Sequence, residues 1–172
     1  MQNGQFQVYT GDGKGKTTAA LGLALRASGA GLRVFIGQFM KAGPTSELSA
    51  LARLENVRVE QFGSGKGLLM GREADAEDIA CARAGLARVK AALGEYDVVI
   101  ADEINCALTC GLLAEGDLLA LIDHRPESVE LVFTGRGACE AVLARADLIT
   151  EMRDVRHYFR EKRLPARLGI EM

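Results

Sequence analysis

The sequence predicts an α/β fold of three layers, a mostly parallel sheet with helices on both faces. Three observations predict it. Short strand-like runs alternate with helical stretches along the whole chain. One run, residues 97–101 (DVVIA), is apolar nearly throughout, as a strand buried on both faces must be. The glycines cluster at the turns, and there are only three prolines, so little interrupts the elements themselves. At 172 residues the chain is expected to form one domain, residues 1–172, large enough for a real core. Its last segment, 153–172, reads as a basic and less regular tail.

Each element follows from local pattern. Residues 5–9 (QFQVY) alternate polar and apolar and read as a strand leading into a glycine loop. Residues 16–28 are rich in Ala and Leu and stop at Gly29 and Gly31, which predicts a helix. Strands are expected at 33–39 (RVFIGQF) and 57–62 (VRVEQF), with a short helix at 46–54 between them. A flexible loop follows at 63–71 (GSGKGLLMG), then the longest helix at 73–93. There Ile79, Leu86, Val89 and Leu93 are predicted to share the apolar face. Beyond the strand at 97–101, helices are expected at 103–110 and 115–122, a strand at 129–134, a helix at 138–146 and a last strand at 148–152.

Composition narrows the function classes. The chain is 48% apolar and 26% charged, as in ordinary globular proteins. Its 21 basic and 23 acidic residues leave a net charge of −2, which argues against a nucleic-acid partner. No apolar run is long enough to span a bilayer, so no membrane role is expected. The first residues, MQNGQFQVYT, contain no charged leader or apolar signal core, and a cytoplasmic location is expected. The four cysteines form no C-x-x-C pair. Cys106 and Cys110 stand four apart, but no histidine accompanies them at metal-finger spacing, so all four are expected to be buried reduced thiols.

The chemistry concentrates in three segments. The first is TGDGKGKTT, residues 10–18, placed between a strand and a helix. It matches the end of G-x-x-x-x-G-K-[ST], but Thr10 stands where the first glycine is usual. Strand, glycine loop and helix are the context a phosphate cradle requires. Backbone N–H groups of Gly11, Asp12, Gly13, Lys14 and Gly15 aim inward, and the helix adds its positive end. Lys16 reaches phosphate oxygens, Thr17 holds Mg²⁺, and Thr18 opens the helix beside them. Lys14 is either a second phosphate contact or a solvated loop residue.

The second segment is DVVIADEIN, residues 97–105, an apolar strand ending in two carboxylates. That pattern places an acid beside a phosphate loop to hold Mg²⁺ or its water, and spacing does not choose between Asp102 and Glu103. The third is TGRG, residues 134–137, at the end of another strand, the edge where doubly wound sheets bind ligands. Arg136 there is either a phosphate partner or an exposed turn residue. The two histidines, His124 and His157, lie far apart in loop and tail and are expected to be surface residues. Tyr158 and Phe159 in the tail are candidates to close over a ligand.

Taken together, the motifs resemble the ATP:corrinoid adenosyltransferases of the CobA/CobO/BtuR type. The resemblance runs over nearly the whole chain: TGDGKGKTTAALGLALRASGAG, then GQFMKAG at 37–43, READ at 72–75, VVIADEIN, TGRGAC at 134–139, ADLITEM at 146–152 and the closing LGIEM. Members carry this loop without its first glycine and with a doubled lysine. The resemblance implies a phosphate-loop NTPase fold of RecA-like type, and an unusual use of ATP. A cobalt(I) corrinoid attacks the 5′ carbon of the ribose and triphosphate leaves. The nucleotide lies reversed in the loop relative to common phosphate-loop enzymes, with the ribose outward.

The implied roles are Lys16 and Glu103 as catalytic groups, and Thr17 with Glu103, or Asp102, on Mg²⁺ or Mn²⁺. An electron donor such as a reduced flavoprotein is implied. The corrin is implied to be held away from water, without its lower axial ligand. A homodimer is expected, since small enzymes of this kind are commonly dimers. One departure stands out. Family members have aromatic residues, including Trp, before READ, whereas this sequence has no Trp and offers Leu68, Leu69 and Met70 as an apolar wall. That leaves the choice between cobalamin and a precursor such as cobyrinic acid a,c-diamide open. Two other classes compete: a small-molecule kinase or RecA-like ATPase, which would release ADP, and a nucleotide switch without turnover.

Overall fold

Three strands, β2 (Val34–Phe39), β4 (Val98–Asp102) and β5 (Glu130–Thr134), are buried at every position. A strand so buried must carry helices on both of its faces, and parallel neighbours meet that need because each crossover lays a helix on the sheet. The computed structural model, which describes residues 3–67 and 72–170, shows this arrangement. With β1 (Phe6–Thr10), β3 (Val57–Phe62) and β6 (Leu148–Glu151), the described strands form one sheet in the order β3-β2-β4-β5-β1-β6. Every described pairing is parallel. The sheet is that of a phosphate-loop NTPase, and it is wholly rather than mostly parallel among the described residues.

The helices are α1 (Lys16–Gly29), α2 (Ser46–Leu51), α3 (Ala76–Ala92), α4 (Ile104–Thr109), α5 (Glu115–Asp123), α6 (Glu140–Leu143) and α7 (Tyr158–Lys162). The two faces of the sheet are packed differently. On one, Ala20, Ala24 and Ala27 of α1 lie against Tyr9, Ile36, Ile100 and Val132. Small residues at that spacing form one stripe and let the helix come close. On the other, Phe6, Phe35, Phe39 and Phe133 meet Val89 of α3 and Leu118 and Leu121 of α5. Phe6 and Phe133 pack edge to face at 4.9 Å and 79°, worth about 1 kcal/mol beyond their burial.

Several elements differ from the sequence expectation, each for a local reason. Helix α3 starts at Ala76 rather than 73, because Asp75 caps it: its side chain accepts from the N–H groups of Glu77 and Asp78. Its buried stripe is Asp78, Ala82, Gly85, Val89 and Ala92. Ile79 is 40% exposed and lies outside that stripe, one residue away from the position the packing chose. Helix α6 keeps only four of the nine residues expected of it. The tail contains a short helix, α7, that its polar sequence did not announce. Cys110 is exposed at the end of α4 and Cys81 and Cys139 are half-buried, so only Cys106 is the buried thiol expected. The apolar wall expected from Leu68, Leu69 and Met70 lies outside the described residues. No helix among the described residues is long and apolar enough to cross a membrane.

Candidate active site

In a wholly parallel sheet all C-terminal strand ends share one rim, and the site forms there. Strand β1 ends at Thr10 and the loop 11–15 turns into α1. Gly11 sits at φ 92°, and a side chain there would run into the Met152 carbonyl, so the loop is pressed against the chain that leaves β6. The N–H of Gly13 donates to that same carbonyl at 2.7 Å. The glycine needed at the loop's start is therefore at 11, and Thr10 remains a strand residue. Lys16 is 7% exposed and folds back on the loop, its Nζ donating to the carbonyls of Gly11 at 2.6 Å and Gly13 at 2.8 Å. Burial pulls its pKa below the ordinary lysine value, while the nearby Glu103 carboxylate opposes that shift.

Asp102 closes β4 and is 1% exposed. Four donors surround it. Oδ1 accepts from the hydroxyls of Thr17 at 2.9 Å and Thr134 at 2.6 Å. Oδ2 accepts from Lys41 Nζ at 2.7 Å and Gln38 Nε2 at 3.3 Å. The register explains the meeting: Gln38 of β2 pairs directly with Asp102 of β4, and β5 brings Thr134 to the other side. Glu103 follows in a left-handed conformation, φ 63°, and caps α4. Its N–H donates to Thr134 Oγ1 at 2.9 Å. Thr134 thus accepts from Glu103 and must donate to Asp102, and Thr17 likewise spends its proton on Asp102. The Thr17 oxygen keeps its lone pairs for a cation.

An open cleft of about 750 Å³ lies over these groups, within the range of small-molecule and cofactor sites. Of the residues the sequence singled out, Asp12, Gly13, Lys14, Gly15, Lys16, Thr17, Thr18, Glu103 and Arg136 line it. Gly11 and Asp102 stand behind the wall. Arg136 is exposed on the loop after β5, close enough to Lys16 to disfavour its charge. That loop is tied to α4 through Cys106, whose sulfur accepts the Arg136 N–H at 3.2 Å. Burial, with the Glu103 carboxylate adding to it, pushes the Cys106 thiol up to about 12.

Gln38, Lys41, His157 and Ile170 are among the cleft and network residues to which the sequence reading gave no site role. Gln38 and Lys41 stand in the quoted GQFMKAG without a role, although a glutamine near the end of an otherwise apolar strand was a usable signal. His157 and Ile170 bring the tail to the cleft wall. His157 Nδ1 accepts the Phe159 N–H at 3.1 Å. Tyr158 and Phe159, candidates to close over a ligand, are not among the described residues that line the cleft.

Comparison with known proteins then decides the family. The profile described as "ATP:corrinoid adenosyltransferase BtuR/CobO/CobP" matches residues 2–172. The chain belongs to this family. It is similar to the corrinoid adenosyltransferase of Pseudomonas aeruginosa, 35% identical over 99% of this chain and 84% of that protein. It is similar to that of Escherichia coli K12, 32% identical over 99% of this chain and 86% of the relative. The corrinoid adenosyltransferase CobA of Salmonella typhimurium matches with the same identity and coverage. The ATP:corrinoid adenosyltransferases are transferases. The segments that resembled them in sequence divide in structure between two jobs. GKGKTT, QFMK, DEIN and TGRG meet at the cleft, whereas READ builds the start of α3, where Arg72 Nη2 bonds Asp78 at 2.5 Å and Asp75 supplies the cap.

Proposed function

We propose that the cleft binds ATP with a divalent cation and that the chain transfers the 5′-deoxyadenosyl group to a cobalt(I) corrinoid, releasing triphosphate. The observation that carries this reading is the convergence of loop 11–15, Lys16, Thr17, Glu103 and Arg136 on one cleft in a chain of this family. The cobalt(I) centre brings its own electron pair. That pair forms the cobalt–carbon bond as the bond between C5′ and the triphosphate oxygen breaks, and the leaving oxygen keeps its electrons. No protein base is required by this balance.

The protein's task is then to position the two reactants and stabilise the leaving charge. The loop N–H groups and Lys16 receive the triphosphate, with Lys16 exchanging its Gly11 and Gly13 carbonyls for phosphate oxygens. Phosphate beside Lys16 also compensates the burial that disfavours its charge. Arg136, on the loop after β5, adds a further cation to the cleft. The cleft-facing Thr17 and Glu103 are oxygen donors and suit Mg²⁺ or Mn²⁺, hard ions that complete their shells with phosphate and water. Such an ion would neutralise charge on the departing triphosphate. Asp102 orients the Thr17 hydroxyl from behind. A reduced flavoprotein supplying electrons, a homodimeric assembly and a cytoplasmic site of action complete the proposal.

Product analysis tests it. Protein, MgATP and chemically reduced corrinoid are mixed without oxygen, and phosphates and corrinoids are separated. Triphosphate together with a light-sensitive alkylcobalt species is expected. ADP as product, or unchanged ATP, would overturn the reading.

A further inference from the structure

Asp102 stands at the strand end where many phosphate-loop enzymes place the carboxylate that holds the metal. Here that carboxylate is already complete. An ionised carboxylate offers about four lone-pair sites, and Asp102 meets four donors, two on each oxygen. Only Thr17 and Lys41 of these donors also line the cleft. The Thr17 bond is compatible with a metal, since the hydroxyl oxygen retains its lone pairs. Lys41 is different. Its ammonium sits 2.7 Å from Oδ2 with its side chain 22% exposed, between the carboxylate and the cleft, and it brings a full positive charge.

The backbone is built to put it there. Met40, just before it, takes φ 60°, a left-handed conformation that L-residues adopt at a cost. The strain turns the chain back over the strand ends as β2 finishes. The turn is held by the Met40 N–H donating to the Phe62 carbonyl at 3.1 Å. The chain leaving β3 lies directly on the Met40–Lys41 backbone at Gly63, where a side chain would come within 2.7 Å of the Lys41 carbonyl oxygen.

Resting on the nucleotide reading above, we propose that Lys41 is a specificity-determining residue for metal placement: it occupies Asp102, keeps that carboxylate out of the metal's shell, and so assigns the divalent ion to Thr17 and Glu103. Asp102 acts on the ion only through the Thr17 hydroxyl it orients.

The test is Mn²⁺ binding to the protein–ATP complex without corrinoid, read from the loss of the free-ion EPR signal. Lys41→Met removes the charge and the donor while keeping the chain's length. It frees an Asp102 oxygen and is expected to tighten Mn²⁺ by on the order of tenfold, because an added carboxylate ligand raises affinity. The gain is expected to vanish in Lys41→Met/Asp102→Asn. Glu103→Gln is expected to weaken Mn²⁺ strongly in the wild-type background and much less beside Lys41→Met, where Asp102 takes over. Unchanged or weaker binding in Lys41→Met, or a gain that survives Asp102→Asn, would overturn the proposal. Lys41→Arg controls for folding and should bind as wild type does. Should Lys41→Met not fold, Asp102→Asn alone decides: binding within about twofold of wild type supports the proposal, and a loss of tenfold or more overturns it. Failure of the wild-type protein to bind Mn²⁺ATP at all would instead overturn the nucleotide reading.

Discussion

Asp102 and Asp78 are both buried carboxylates held by several donors, yet they are assembled in opposite ways. Asp78 takes its partners from nearby in the chain: Ser64 Oγ at 2.5 Å, Arg72 Nη2 at 2.5 Å and the Asp75 N–H at 2.9 Å. Asp102 takes its partners from α1, β2, the turn after β2, and β5. The local cluster fastens the segment before α3 to its helix. The long-range cluster exists only when the sheet is complete, and only it faces the cleft. A carboxylate wrapped in donors thus fastens a loop to its helix in one place and backs the cleft in the other. The distance its partners have travelled along the chain, not its burial, separates the two.

The largest effect expected on this contrast comes from Lys16, which belongs to the long-range side. Lys16→Ala should cut adenosyl transfer by roughly a thousandfold, as loss of a leaving-group stabiliser does. It should not lower the thermal midpoint. The Lys16 pKa is depressed in the fold, so folding a charged Lys16 costs stability below that depressed value, and the cost fades as pH rises to the unfolded value of about 10.4. Removing the cation removes that cost. Near-normal turnover in Lys16→Ala would dissolve the assignment of the loop.

Asp102→Asn comes next. It leaves Lys41 beside a neutral group in a largely buried site and should cost about 3 kcal/mol in urea unfolding. The loss is predicted to fall on global stability, because its partners come from so many elements. A loss under about 0.5 kcal/mol would mean that the cluster does not hold the strand ends together.

Asp78→Asn should act differently. If the cleft takes ATP as proposed, binding should survive, since none of the Asp78 partners named above lines it. The effect should appear in acid. Its backbone and side-chain donors hold the Asp78 carboxyl well below the ordinary value. The stability it adds is present above the unfolded aspartate value of about 3.9 and is lost as pH falls below it. Wild type and Asp78→Asn should therefore converge in stability as pH drops below about 4. Parallel pH profiles would contradict this.

The smallest effect concerns the two thiols of α4 and its cap. Iodoacetamide near pH 8 should label exposed Cys110 readily and leave Cys106 unreacted, because the Cys106 thiol titrates only at about 12. Saturating ATP should leave that pattern unchanged. Prompt modification of Cys106 would place it in a more open wall than described.

What could be read from the sequence follows the same division. Strands are legible because burial on both faces leaves an unbroken apolar run, as in VVIA before Asp102. The loop and Thr17 are legible because their spacing is set within one turn of chain. The Asp102 cluster is not, since Gln38, Lys41 and Thr134 become neighbours only through sheet order. The same reason hid His157 and Ile170, which reach the cleft from the far end of the chain. Ile79 was misplaced because a helix face is decided by what it packs against, and small Ala82 and Gly85 took that face in its stead. The roles of Asp102 and Glu103 could not be divided by spacing; the donors around the first and the cleft beside the second are what distinguish them.

The left-handed backbone of Glu103 bears on how this sequence would drift under selection. Glycine would relieve that conformation, whose strain for an L-residue is about 1 kcal/mol or more. Variants chosen for heat resistance alone should accumulate Gly or Asn at position 103 and fall silent as enzymes.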